Sequence, residues 1–181
     1  MERTLIAELS EQKGKEVTIN GWVSVRRDQG KMAFFDFRDR TGMVQGVVFG
    51  KPEVLEVAKE ARPGSSVAIT GVVNERPEKM INAKVENGDI ELEITSIDIL
   101  NQAAEMPFDM DAELNMETNL DNRPLTLTRK RERAIFTIQS VITACYGEYM
   151  RTQGFTEFQA PKLVGGDAEG GAEIFKVEYF K

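Results

Sequence analysis

The sequence contains no histidine. That excludes histidine triads, histidine general bases and histidine metal ligands. A single cysteine, Cys145, allows no intrachain disulfide, which fits a reducing compartment. No stretch approaches the roughly 20 apolar residues that cross a bilayer. The opening run Met1-Glu2-Arg3-Thr4-Leu5 lacks the apolar core of a signal peptide. The expectation is a cytoplasmic protein with no membrane partner. Internal repeats and low-complexity tracts are missing, and so is a Gly-Lys-Ser/Thr phosphate cradle. Positive charge is in deficit: 23 Lys and Arg against 30 Asp and Glu leave a net charge of −7. This argues against holding nucleic acid by overall charge, while leaving room for a local basic face.

What is present is the composition of a globular protein, 41% hydrophobic and 29% charged over 181 residues. The length suits one ordinary domain, or a small domain with part of another. Residues 16–27 alternate, with Val17, Ile19, Gly21, Val23 and Val25 on one face, which predicts a strand. Asp28 to Lys31 reads as a turn, Met32 to Arg38 as a second strand, Asp39 to Gly42 as a second turn, and Met43 to Phe49 as a third strand. Pro52 opens a short helix with Val54, Leu55, Val57 and Ala58 as its apolar set, stopped by Pro63-Gly64. Ser66 to Asn74 predicts a fourth strand, Glu75 to Gly88 a long polar loop, and Ile90 to Leu100 a fifth strand with Ile90, Leu92, Ile94, Ile97 and Ile99 inward. Three strands, a helix and two strands is the order of an OB-fold, a small all-β barrel whose second and third strands bind oligonucleotides. Another small antiparallel barrel is the alternative on pattern alone.

Residues 101–128 are acidic and carry breaker signals, as a linker with short local structure would. Arg129 to Gln153 predicts a long helix with Ile135, Ile138, Val141, Ile142, Cys145 and Tyr149 as one apolar stripe, and Gly154 as its left-handed cap. Phe155 to Pro161 reads as a short strand. Such a helix needs a partner surface to cover its stripe.

Three groups of residues could carry chemistry. Phe34 lies opposite in phase to Phe35 and Phe37, close in sequence to Arg26, Arg27, Arg38, Arg40 and Gln45. A ring exposed beside arginines is a stacking platform for an unpaired base; the alternative is three core rings with solvated arginines. Arg129-Lys130-Arg131-Glu132-Arg133 sets positive charge against the helix dipole, so phosphates, the acidic linker or plain solvent must compensate it. Glu169, flanked by Gly165, Gly166, Gly170 and Gly171, could close over a cationic group or be a surface turn.

These residues also carry a resemblance. Gly21-Trp22-Val23, Arg26-Arg27-Asp28, Phe34-Phe35-Asp36-Phe37-Arg38-Asp39-Arg40-Thr41-Gly42 and Val44-Gln45 are similar to the N-terminal part of class II aspartyl-tRNA synthetases. So are Leu120-Asp121-Asn122-Arg123, Gly154-Phe155 running to Pro161, and Glu169-Gly170-Gly171-Ala172-Glu173, which resembles the amino-acid loop of the archaeal-type aspartyl branch. The resemblance implies an OB-fold anticodon-binding domain at 1–103, a hinge at 104–128, and at 129–181 the start of an α+β class II catalytic domain. It implies that Phe34 stacks on an anticodon base, that Arg27 and Gln45 contact bases or phosphates, and that Arg76, Lys79 and Asn82 meet the remaining anticodon. Glu169 would bind the ammonium of aspartate, and Phe155, Phe158 and Pro161 would lie at a homodimer interface. The implied partners are aspartate and the tRNA for aspartate, with the tRNA for asparagine left open.

The family's ATP-binding arginines and magnesium carboxylates would fall beyond Lys181. ATP and Mg are therefore expected in the complete enzyme, with none bound by this chain, no metal ligand and no catalytic residue within it. The chain alone is expected to be inactive in an aspartate–tRNA ligase reaction. A non-catalytic OB-fold module binding tRNA or protein is the alternative. The usual Leu-Asp-Leu-Arg after the hinge reads Leu125-Thr126-Leu127-Thr128 here.

Overall fold

A computed structural model describes residues 2–161 and residue 178. The chain divides into two units, Met1–Ala112 and Glu113–Lys181. Glu169 lies outside the described residues.

In the first unit the predicted alternation is realised in five strands: β1 (Glu16–Gln29), β2 (Met32–Arg38), β3 (Met43–Phe49), β4 (Ser66–Glu75) and β5 (Ile90–Asn101). Helix α1 (Pro52–Glu60) connects β3 to β4. The strands pair in the order β1-β2-β3-β5-β4, and β4 returns to β1, closing the ring. All pairs are antiparallel except β3 with β5. This is the OB-fold order expected from the sequence.

Inside the ring Phe35 and Phe37 stack nearly parallel, 5.2 Å apart, among Val23, Val44, Ile69 and Ile94. Burying each such ring stabilises by about 1.5–3 kcal/mol. The rings dictate a neighbour. A Cβ on Gly46 would lie 2.6 Å from the Phe37 ring and 2.9 Å from the Ile94 methyl, so β3 must carry glycine there. A segment that the sequence pattern did not reveal, the 3-10 helix Ile6–Gln12, buries Ile6 and Leu9 completely and packs against β1, β3 and β4. Its i and i+3 side chains eclipse, so one turn delivers both to the same core.

Two expectations about facing are corrected. The β1–β2 register shifts between Val23 and Val25. One extra residue swings the rest of the strand to the other face, so Val25 points outward opposite Asp36 instead of into the core. In α1, Val54, Leu55 and Ala58 meet the core, while Val57 is exposed on the helix flank. In β5 a similar shift, between the partners of Thr70 and Gly71, explains why the inward series steps from Ile94 to Ile97.

In the second unit, α2 (Met116–Asp121) is capped by the Asn115 side chain, which accepts from the Thr118 N–H at 2.8 Å. A short α3 (Arg123–Thr126) comes next, then α4 (Lys130–Thr152). Thr126, at the departure from Leu-Asp-Leu-Arg, is buried and its hydroxyl donates to the Asn119 carbonyl at 3.1 Å. An ionised aspartate, which only accepts, could not make that bond. The Arg123 guanidinium lies 5.5 Å from the Phe136 ring and ties α3 to α4. Gly154 ends α4 at φ +84, where a side chain would be strained, and Phe155 N–H returns to the Met150 carbonyl at 3.1 Å. The stripe residues Ile135, Ile138, Val141, Ile142, Cys145 and Tyr149 are exposed. Residues 155–161 form no strand, against the expectation, because no described segment pairs with them.

Candidate nucleic-acid interface

The outer surface of β1, β2 and β3 is built in cross-strand rows. Arg27 is opposite Phe34, and Phe34 is opposite Val47. Val25 is opposite Asp36, and Asp36 is opposite Gln45. Trp22 is opposite Arg38, and Arg38 is opposite Met43. The same alternation that buries Phe35 and Phe37 turns Phe34 outward, where it is half-buried. Its neighbour Val47 is only 7% exposed yet stands outside the interior cluster. A flat, half-buried ring beside a cation is thus available on the outer surface of the sheet.

Strict alternation would have sent Arg27 inward with Val25. The bulge instead brings it to the Phe34 face, where it donates to Asp36 at 3.0 Å through Nη1 and 2.9 Å through Nη2. Arg38 lies 5.3 Å from the Trp22 ring, and Trp22 is exposed. Arg26 departs from this group: it pairs with Asp28 and donates to the Lys59 carbonyl at the end of α1.

The β4–β5 loop carries the remaining candidates. Arg76 is not a loop-tip residue; its side chain is 10% exposed and its Nε lies 3.8 Å from Glu91 on β5. Asn82 and Lys79 are both exposed, and the Asn82 side-chain oxygen accepts from the Lys84 N–H at 3.1 Å on its own loop. Met80, Ile81 and Val85 are also exposed on this loop. At its base Lys13 bridges Glu75 at 3.0 Å and Asp89 at 3.2 Å. The hydrogen bond to Glu75, then that to Asp89, hold the Lys13 ammonium above its ordinary range.

The turn between β2 and β3 is held by a buried carboxylate. Asp39 accepts from the Thr41 hydroxyl at 2.6 Å, the Thr41 N–H at 2.7 Å, the Gly42 N–H at 3.1 Å and the Ile6 N–H at 3.0 Å. Burial alone would raise its pKa; the hydroxyl and the three N–H donors outweigh that and hold it below the usual aspartate value.

The resemblance named Arg27, Phe34 and Gln45, and the structure brings the three to one face of β1, β2 and β3. Sequence reasoning missed Asp36 and Glu91 as the carboxylates that engage Arg27 and Arg76. A diagonal acidic residue two positions from an outward aromatic was the available signal for Asp36. Phe155 and Phe158 are exposed in the second unit, as is Pro161. In the basic run at the start of α4, Glu132 is buried with its carboxylate 4.0 Å from Arg129. Among the described residues no group of three or more Cys, Asp or Glu side chains is placed to hold a metal ion, and no helix is long and apolar enough to cross a membrane.

Residues 17–100 match the family described as OB-fold nucleic acid binding domain, and residues 115–181 match the tRNA synthetases class II (D, K and N). The aspartate–tRNA(Asp/Asn) ligase of Corynebacterium aurimucosum is 38% identical over 169 residues, covering 91% of this chain and 28% of that protein. The aspartate–tRNA(Asp/Asn) ligase of Haloquadratum walsbyi is 36% identical over 186 positions, covering 99% and 41%. The solved asparaginyl-tRNA synthetase from Pyrococcus horikoshii, complexed with asparaginyl-adenylate, superposes with a TM-score of 0.82 at 31% identity, covering 99% of this chain and 41% of that one. The chain spans 28% and 41% of the length of these two curated relatives. Fold and matches together define an OB-fold nucleic-acid-binding domain followed by the start of a class II synthetase domain. The start of that second domain, residues 115–181, is similar to the class II tRNA synthetases of the D, K and N group. Within that group the chain is similar to the N-terminal part of the aspartate–tRNA ligases.

Proposed function

We propose that this chain is the anticodon-reading and dimer-forming portion of an aspartate–tRNA ligase. The observation that carries the reading is the row Arg27–Phe34–Val47 on an open OB-fold face, with Gln45 in the next row. A base of a single-stranded loop stacks on Phe34, an interaction worth about 1–3 kcal/mol per base. Val47 is the cross-strand neighbour of that ring on β3. Gln45 offers an amide donor and acceptor to a base edge, which is how sequence rather than shape is told apart. Arg27 has guanidinium donors to spare for a phosphate or a base edge, and Lys79 on the exposed loop meets backbone phosphate. Arg76, held by Glu91, acts from the side of the sheet rather than from the loop tip. A small basic face on an acidic chain suits this task, because contact is then limited to one strand of RNA.

The ATP-dependent attachment of aspartate to tRNA belongs to the complete enzyme. No step of that reaction is assigned to the described residues. Glu169 is proposed to hold the aspartate ammonium there. Both of these curated relatives are named for tRNA(Asp/Asn), which supports acceptance of both tRNAs by the parent enzyme.

The deciding experiment is binding of the chain to hairpin RNAs carrying the aspartate, asparagine and lysine anticodons, at two salt concentrations. The expected result is tight binding of the aspartate hairpin, weaker binding of the lysine hairpin, and a shallow loss with salt, since few phosphates are contacted. Equal binding of all three, lost steeply with salt, would refute anticodon reading and favour a generic binding module.

A further inference from the structure

We propose that Asp36 is a positioning residue of the RNA face: it clamps Arg27 so that the guanidinium offers its remaining donors in one direction beside Phe34. The proposal rests on the anticodon reading above. A carboxylate in the middle of a surface that receives a polyanion is unfavourable on charge alone. Asp36 nevertheless occupies the outward position of β2 between Phe34 and Arg38, directly opposite Gln45. Its two oxygens engage two different nitrogens of Arg27, at 3.0 and 2.9 Å. That two-point geometry sets the plane of the guanidinium, which a single contact would not.

The pair is also asymmetric. Arg27 is 47% exposed and Asp36 only 23%. The carboxylate is the anchored partner and the guanidinium the one presented to solvent. Arg27 belongs to the Phe34 row by register, while Asp36 belongs to the Gln45 row, so the bond draws the arginine across the space between the two. Of five guanidinium N–H donors the clamp uses two and leaves three. A long side chain held before the ligand arrives loses less freedom on binding than a mobile one. An exposed ion pair of this kind contributes little to folding, so stability gives no sufficient reason for the carboxylate.

Charge and positioning predict opposite signs, which makes the proposal testable. Asp36→Asn, Arg27→Ala, the double variant and Asp36→Glu are compared with the unmodified 181-residue chain, using a fluorescent hairpin RNA with the aspartate anticodon. Asp36→Asn removes a negative charge from the RNA face and still weakens binding, by roughly fivefold or more for a coupled pair. In the Arg27→Ala background the same substitution has no further effect, and Asp36→Glu recovers part of the affinity. Equal or tighter binding by Asp36→Asn overturns the positioning role while leaving the anticodon reading intact. An undiminished loss in the Arg27→Ala background overturns it as well, since Asp36 would then act on the sheet and not through Arg27. If the unmodified chain fails to distinguish the aspartate from the lysine hairpin, the anticodon reading falls and the positioning role falls with it.

Discussion

The Ile6 N–H donates to the buried carboxylate of Asp39 at 3.0 Å, joining residues 33 apart in sequence. The same carboxylate closes the β2–β3 turn through Thr41 and Gly42. One side chain thus anchors the N-terminal 3-10 helix, with its buried Ile6 and Leu9, to the turn that joins β2 to β3.

Asp39→Ala is expected to destabilise the first unit by roughly 2–3 kcal/mol, because it strands donors that had a charged acceptor. The pH dependence has a definite sign. The folded pKa of Asp39 is lowered, so its contribution is fully present above the unfolded value of about 4. It is lost as pH falls from there through the folded pKa. Denaturant unfolding of the unmodified chain and of Asp39→Asn, followed across that acid window, checks this: the variant should show a flatter dependence.

Phe34→Ala is expected to weaken binding of the aspartate hairpin by about 1–3 kcal/mol with little change in thermal stability. The ring is on the outer face and only half-buried, so its loss opens no interior cavity. Melting by circular dichroism alongside a binding titration separates the two effects. A large fall in melting temperature with unchanged affinity would show that the ring serves packing.

The chain is expected to give no aspartate-dependent ATP–pyrophosphate exchange above a mock preparation. The motive is that the chain spans only 28% and 41% of the length of the two aspartate–tRNA ligases it resembles. Exchange that follows the pure protein through chromatography would overturn this.

Self-association is expected through the second unit. Ile135, Ile138, Val141, Ile142 and Tyr149 expose one apolar stripe of α4, and exposed apolar patches beyond a few hundred Å² tend to find partners. Light scattering should report a dimer or larger species, and a chain ending at Ala112 should be monomeric. A monomeric full chain whose α4 amides are strongly protected from hydrogen exchange would contradict this.

Much of the first unit was legible along the chain. The bounds of β2 and β3 follow from Ala33, Phe35, Phe37, Val44 and Val48, because one-sided burial imposes a period of two that needs no knowledge of the partner strand. The Gly154 stop is equally local, since a left-handed residue can be recognised from its own flanks. Phe34 as the out-of-phase ring beside arginines was visible for the same reason.

The sequence by itself determined the order of strands and helix, the inward aromatic pair and the outward Phe34. Only the tertiary structure decided what Arg27, Arg76 and Asp39 do. Arg27 reaches the Phe34 face because β1 carries an extra residue relative to β2, and a bulge exists only in relation to a partner strand. Arg76 is withdrawn from the loop because the β4–β5 register places Glu91 within reach of it. Asp39 becomes a buried anchor because the chain returns Ile6 to the β2–β3 turn. Residues 155–161 stay without a ladder because a strand needs hydrogen-bonding partners from elsewhere. Alternation is a property of neighbours in sequence; register, ion pairing and strand formation depend on residues brought together only when the chain closes on itself.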